Sequence, residues 1–156
     1  MRTLLLGLGN DLRGDDAIGL HVVDYVRSLN ICSTDVSIER TLVSGIHLLS
    51  YFPNYEKVCI VDSVQVKDEE IGRFWKLSPE ELKRCDFSMR VTHGIGIHAL
   101  LDILRMIGYE NPREVKLFLI GIKKMNDYYY ECLDNISSSL RNIIPSVGQQ
   151  IVKEIN

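Results

Sequence analysis

The chain opens on a strand that ends in two glycines and is followed closely by adjacent carboxylates. The unbroken apolar run Thr3–Leu8 is typical of a strand that is covered on both faces. Gly7 and Gly9 close this run, and Asp15 and Asp16 stand where a helix is expected to begin. Because α/β proteins place binding groups beyond the carboxyl ends of their strands, this opening constrains both the fold and the position of a site.

Strand and helix patterns alternate along the rest of the chain. The apolar runs predict strands at Thr3–Leu8, Val36–Glu39, Lys57–Val61, Ile71–Leu77 and Val115–Ile120. Helical spacing predicts helices at Ala17–Leu29, Ile46–Phe52, Gly94–Ile107 and from about Ser137 onward, and Ser78-Pro79-Glu80-Glu81 is typical of another helix start. This alternation predicts a mostly parallel sheet with helices on both faces, and the charged strand Ile71–Leu77 suits its edge.

Composition narrows the classes of protein that the chain can represent. Its 156 residues, 46% hydrophobic and 25% charged, predict a single globular domain over residues 1–156. A net charge of −3 favours neither nucleic acid nor anionic lipid as a partner. The four cysteines form no C-x-x-C, and no apolar leader or membrane-length segment is seen. We therefore expect a cytoplasmic protein without membrane insertion, and a monomer.

Two aspartates and a histidine stand at the mouths of three different α/β units. Asp16 follows the first strand, Asp62 follows the apolar run Lys57–Val61, and His93 precedes the helix predicted at Gly94–Ile107. If the three side chains converge, they form an O,O,N donor set with open coordination positions. Such a set suits a borderline divalent ion such as Ni²⁺ or Zn²⁺.

Each of these residues also has a simpler structural interpretation. Asp16 can cap the first helix, a task that Asp15 can perform equally well. Asp62 can form an Asx-turn after its strand, and Ser63 is most simply a turn residue. His93, considered alone, can be a capping or solvent-facing residue.

The Gly7-Leu8-Gly9 turn offers a different class of function, nucleotide binding. A dinucleotide fingerprint requires a third glycine where Leu12 stands, and the neighbouring aspartates would repel a phosphate. No serine or cysteine lies in a G-x-S-x-G turn, so a serine or cysteine nucleophile is disfavoured. A small nucleotide-binding module remains the weakest of the alternatives.

The opening motif resembles that of the nickel-iron hydrogenase maturation endopeptidases. It reads Gly7-x-Gly9-Asn10-x-Leu12-x-x-Asp15-Asp16-x-x-Gly19. In that family an acid stands at the position of Asp16, a strand-end aspartate at the position of Asp62, and a later histidine at the position of His93. The resemblance covers most of the chain.

The resemblance implies a three-layer α/β/α sandwich around a five-stranded mixed sheet with one antiparallel edge strand. It also implies cleavage of a C-terminal extension from the precursor of a [NiFe] hydrogenase large subunit after nickel insertion. Asp16, Asp62 and His93 would then be ligands of nickel carried by that precursor, and Zn²⁺ or Cd²⁺ can substitute in a crystal. Metal-assisted hydrolysis and general-base catalysis by a carboxylate both remain open.

The chain departs from the family pattern after its second strand. Members commonly carry an Asp-Gly-Gly-Thr-like turn, whereas this chain reads Glu39-Arg40-Thr41-Leu42-Val43-Ser44-Gly45. Arg40 therefore stands where an acid is expected, which predicts a changed local potential and changed substrate contacts. The departure keeps a second hypothesis open, a non-catalytic module of the same fold that binds a metal or a precursor.

Overall fold

A computed structural model describes residues 1–85, 96–124 and 136–156 of the chain. A five-stranded sheet runs through these ranges in the order β2-β1-β3-β5-β4. The strands are β1 (Thr3–Leu8), β2 (Val36–Thr41), β3 (Lys57–Val66), β4 (Phe74–Leu77) and β5 (Glu114–Lys123). Only β4 pairs antiparallel, with β5 at one edge of the sheet. The predicted mixed sheet with one antiparallel edge strand is confirmed.

Helices cover both faces of this sheet. They are α1 (Ile18–Leu29), α2 (Pro79–Arg84), α3 (Ile97–Met106) and α4 (Ser138–Ile155), with 3₁₀ helices at Gly14–Ala17, Gly45–Tyr51 and Asp68–Glu70. One face packs against α1 and α4, and the other packs against α2, α3 and the 3₁₀ helix Gly45–Tyr51. The predicted three-layer α/β/α sandwich is therefore confirmed.

Alternation along the strands divides the apolar core between these two faces. Leu4 and Leu6 of β1 face α2 and α3, whereas Leu5 faces α1 and α4. Cys59 of β3 is fully buried on the α1 and α4 side. Burial raises the pKa of its thiol to about 12, so Cys59 is an unreactive core residue.

The two central strands are longer than the sequence predicts. β3 and β5 each run for ten residues and pair from Lys57↔Glu114 to Val66↔Lys123. The prediction ended these strands at Val61 and Ile120 because polar or glycine residues follow. Those residues remain in the ladder, so Asp62 and Gly121 lie within strands and not in the loops predicted for them.

Several helix boundaries also differ from the predictions. A 3₁₀ turn precedes α1, the segment predicted as a helix at Ile46–Phe52 is the 3₁₀ helix Gly45–Tyr51, and α3 begins only after Gly96. Gly108 has φ of 90° just beyond α3, a left-handed conformation that favours glycine at the end of a helix. The tyrosines at 128–130 lie outside the described residues. Within the described residues, we find no helix both long and apolar enough to cross a membrane.

A charged cluster at the amino edge of the sheet holds the last turn of α4. Lys116 and Lys76 donate to the Glu154 carboxylate at 2.5 and 3.2 Å, and Lys57 donates to the Glu154 carbonyl at 2.6 Å. The bond from Lys116, and then that from Lys76, lowers the pKa of Glu154. The bonds from Lys116 and Lys76 therefore stabilise the folded chain most when the Glu154 carboxyl group is ionised.

We expect the Glu154→Gln variant to lose stability in a pH-dependent way. The pKa of Glu154 is lower in the folded state than in the unfolded state. The stability that its carboxylate contributes is therefore present above the unfolded pKa and is lost as pH falls through the folded pKa. Urea unfolding should show a deficit of about 1 kcal/mol or less at pH 7, since the cluster is partly exposed, and a smaller deficit in acid. Glu110→Gln, at an exposed glutamate, is the control. An equal deficit at both pH values would contradict this prediction.

Candidate functional site

Asp16 lies in the 3₁₀ turn between β1 and α1. Its side chain is fully buried. A short series of backbone bonds leads to it, because Arg13 N–H donates to Asn10 C=O at 3.0 Å and Asp16 N–H donates to Arg13 C=O at 3.2 Å. The sequence offered helix capping as the simple role of Asp16, but the N-cap residue of α1 is Ala17.

Close backbone packing brings this turn against the sheet. A Cβ added to Gly19 would lie 2.3 Å from the carbonyl oxygen of Leu8 and 2.5 Å from that of Val61. A Cβ added to Gly9 would lie 2.6 Å from the carbonyl oxygen of Asp16. The glycines of the opening motif thus let α1 and its leading turn touch the ends of β1 and β3, and protein atoms fill the space beside Gly9.

Asp62 lies at the point where β3 continues beyond β1. The pairing of β1 with β3 ends at Gly7↔Val61, whereas Asp62 still pairs with Leu119 of β5. After β1, the chain continues to β2 on one side of β1, and then crosses to β3 on the other side. The carboxyl ends of β1 and β3 therefore form a topological switch point of the sheet. Ligands of open α/β sheets bind in the crevice at such points.

Ser63 connects the two aspartates. Its backbone N–H donates to Asp62 Oδ1 at 2.7 Å, and its hydroxyl donates to Asp16 Oδ1 at 3.1 Å. Ser63 is fully buried within β3, so the prediction that it is a turn residue is wrong. Sequence reasoning missed this contact because it ended β3 at Val61, whereas the strand continues to Val66.

The structure therefore brings together two of the three predicted site residues. Asp16 and Asp62 are at most 1% exposed, and carboxylates are rarely buried without hydrogen bonds or a cation to compensate the loss of hydration. Such a pair at the carboxyl edge of the sheet is a candidate for cation binding or for acid–base chemistry.

The neighbouring acid, Asp15, has a different task. Its Oδ1 accepts a hydrogen bond of 2.7 Å from the backbone N–H of Ser137, the residue that precedes α4. Asp15 thus holds the start of a helix 122 residues away, whereas Asp16 faces β3. The two adjacent acids thus contact two different elements, the start of α4 and the strand β3. Local sequence cannot reveal these distant partners.

His93 lies outside the described residues, so its place beside the two aspartates remains a prediction. Within the described ranges, no group of three or more His, Cys, Asp and Glu residues is arranged to hold a metal ion. His98 is engaged elsewhere, since its Nε2 lies 3.0 Å from the carbonyl oxygen of Pro79. His47 is exposed.

Comparison with known proteins gives this fold and site a family. Residues 41–154 match the hydrogenase maturation protease family, HycI. The chain is 32% identical to the Hydrogenase 2 maturation protease of Escherichia coli K12 over 122 residues, which cover 78% of this chain and 73% of that protein. The chain therefore belongs to the hydrogenase maturation protease family, as the opening motif indicated.

Two further relatives agree with this assignment. The hydrogenase expression/formation protein HupD of Thiocapsa roseopersicina is 25% identical over 162 residues, covering 97% of this chain and 63% of HupD. The solved structure of the hydrogenase maturating endopeptidase HybD from E. coli superimposes with a TM-score of 0.72 at 25% identity. That match covers 99% of this chain and 91% of HybD, so the whole sandwich is shared.

Proposed function

We propose that this chain is an endopeptidase that removes a C-terminal extension from the nickel-loaded precursor of a [NiFe] hydrogenase large subunit in the cytoplasm. Membership of a maturation protease family supports proteolysis. The observation that carries the finer proposal is the buried pair Asp16 and Asp62, linked through Ser63 at the switch point of the sheet.

Nickel enters this proposal as part of the substrate. Asp16 and Asp62 supply two oxygen ligands, and His93 is proposed as the nitrogen ligand. Three ligands from this chain leave coordination positions on the nickel ion for groups of the precursor. A nickel-free precursor would lack the ion that joins the two proteins, so it would be bound less well. A bound nickel ion supplies Lewis acidity near the scissile peptide.

Ser63 has a positioning role in this proposal. Its two hydrogen bonds hold one oxygen of each aspartate, which fixes the direction of both carboxylates before the precursor arrives. Preorganised ligands bind with less loss of side-chain freedom. The carboxylates therefore need little rearrangement to receive the ion.

A carboxylate that acts as a general base is the competing arrangement, and it makes a different prediction. In that case Asp16 or Asp62 takes a proton from the attacking water, and nickel serves at most to recognise the precursor. A nickel-free precursor would then still be cleaved, although slowly. Nickel dependence thus separates the two mechanisms.

Mass spectrometry of the precursor tests the proposed function. Purified chain is incubated with a hydrogenase large-subunit precursor in nickel-loaded and nickel-free forms. We expect loss of a C-terminal peptide from the loaded form and no cleavage of the nickel-free form. Tight binding to the loaded precursor without any cleavage would contradict the proposal and favour the non-catalytic binding module.

A further inference from the structure

Arg40, the residue that departs from the family pattern, is bonded to two acids of this chain. It lies near the carboxyl end of β2. Its Nη1 donates to Asp24 Oδ2 of α1 at 2.5 Å, and its Nη2 donates to both carboxylate oxygens of Asp11 at 2.7 and 2.6 Å. One guanidinium thus joins β2, α1 and the loop that leaves β1.

The positive charge of Arg40 is balanced within this cluster. Asp24 also accepts from Arg27 Nη1 at 3.0 Å, and Arg27 Nη2 donates to the carbonyl oxygen of Ile38 at 2.7 Å. Two arginines and two aspartates make the cluster neutral. The changed potential that the sequence predicts at position 40 is therefore compensated by Asp11 and Asp24.

A short chain of hydrogen bonds leads from the loop that contains Asp11 to Asp16. The loop Asn10–Arg13 is closed by hydrogen bonds of 3.0 Å from Leu12 N–H to Asn10 Oδ1 and from Arg13 N–H to Asn10 C=O. Arg13 C=O then accepts the backbone N–H of Asp16. Since Asp11, Leu12 and Arg13 are exposed, packing alone does little to hold this loop.

We propose that Arg40 is a positioning residue that holds the loop Asn10–Arg13 against β2 and thereby fixes Asp16. An arginine fork reaches two carboxylates at once, which a single ammonium group does less well. Isolated surface ion pairs contribute little, but a network in which one guanidinium bonds two carboxylates constrains a loop more strongly. The effect on catalysis rests on the proposed function, whereas the effect on the loop does not.

Hydrogen exchange of the free protein tests the positioning itself. In Arg40→Gln and Asp11→Asn, we expect the amides of Leu12, Arg13 and Asp16 to exchange about three- to tenfold faster, because the loop opens more often. Arg27→Gln is the matched control, since it breaks the same cluster without touching the loop. Unchanged exchange in Arg40→Gln, or equal acceleration in Arg27→Gln, would overturn the proposal.

The double variant and the kinetics complete the test. In the double variant Asp11→Asn with Arg40→Gln, the loop amides should exchange no faster than in Arg40→Gln alone. Both substitutions remove the same contact between Arg40 and Asp11, so their effects should not add. With nickel-loaded precursor, kcat should fall in both single variants, KM should change little, and Arg40→Lys should recover part of the loss. Faster exchange without cleavage by any form of the chain supports the positioning role and refutes the proposed peptidase. Independent effects in the double variant would overturn the Arg40–Asp11 link.

Discussion

Replacing Asp62 with Asn is expected to reduce cleavage of a nickel-loaded precursor by about 100-fold or more. The change removes the negative charge and the anionic oxygen that we propose as a metal ligand, but it keeps the shape of the side chain. The amide oxygen can still accept the hydrogen bond from Ser63 N–H, so the strand is not expected to rearrange. The rate of appearance of the C-terminal peptide, followed by mass spectrometry, measures the effect.

Asp16→Asn should have an effect of similar size, because the two carboxylates serve one site. Asp102→Asn is the matched control, since that aspartate is 69% exposed on α3 and is paired with Arg105. Thermal unfolding of each variant separates loss of chemistry from loss of fold. Wild-type cleavage rates in both site variants would show that neither carboxylate takes part in the reaction.

Gly19→Ala is expected to destabilise the fold by about 2–4 kcal/mol. The added methyl group would lie 2.3 and 2.5 Å from two backbone carbonyl oxygens, those of Leu8 and Val61. Backbone atoms of a central sheet cannot move aside as a flexible side chain can. The helix α1 must shift instead, and Asp16 at its leading turn shifts with it. Urea unfolding measures the loss.

Gly96→Ala is the control for this substitution. Among the residues that the structure describes, no atom lies within 4 Å of a Cβ built at Gly96, and its φ of −49° is accessible to alanine. We expect a change of about 1 kcal/mol or less, the usual range for an alanine at a helix cap. Similar losses in both variants would show that the close contact of α1 with β1 and β3 is not the reason for the glycine at position 19.

The sequence predicts the elements that flank the site well because their patterns are local. β1 is found at the predicted residues, and α1 begins one residue later than predicted. An apolar run and a helical spacing each depend only on near neighbours. The positions of Asp16 and Asp62 follow from these elements and from the rule that parallel strands share a carboxyl edge.

The features that sequence reasoning missed depend on contacts across the chain. Ser63 resembles a turn residue until pairing with β5 shows that the strand continues. Asp15 resembles a local cap, but its partner is Ser137. The acids that neutralise Arg40 lie 16 and 29 residues away along the chain. Sequence reasoning could not pair them with Arg40, so it predicted a changed electrostatic potential at this position.

We propose that Asp16 and Asp62 are ligands of one metal ion. Anomalous scattering from a crystal of this chain soaked in Ni²⁺ or Cd²⁺ tests it most directly. We expect a single strong peak about 2.2 Å from a carboxylate oxygen of each aspartate, with the imidazole of His93 as a third ligand. A metal ion bound elsewhere, with no density shared between the two carboxylates, would contradict it.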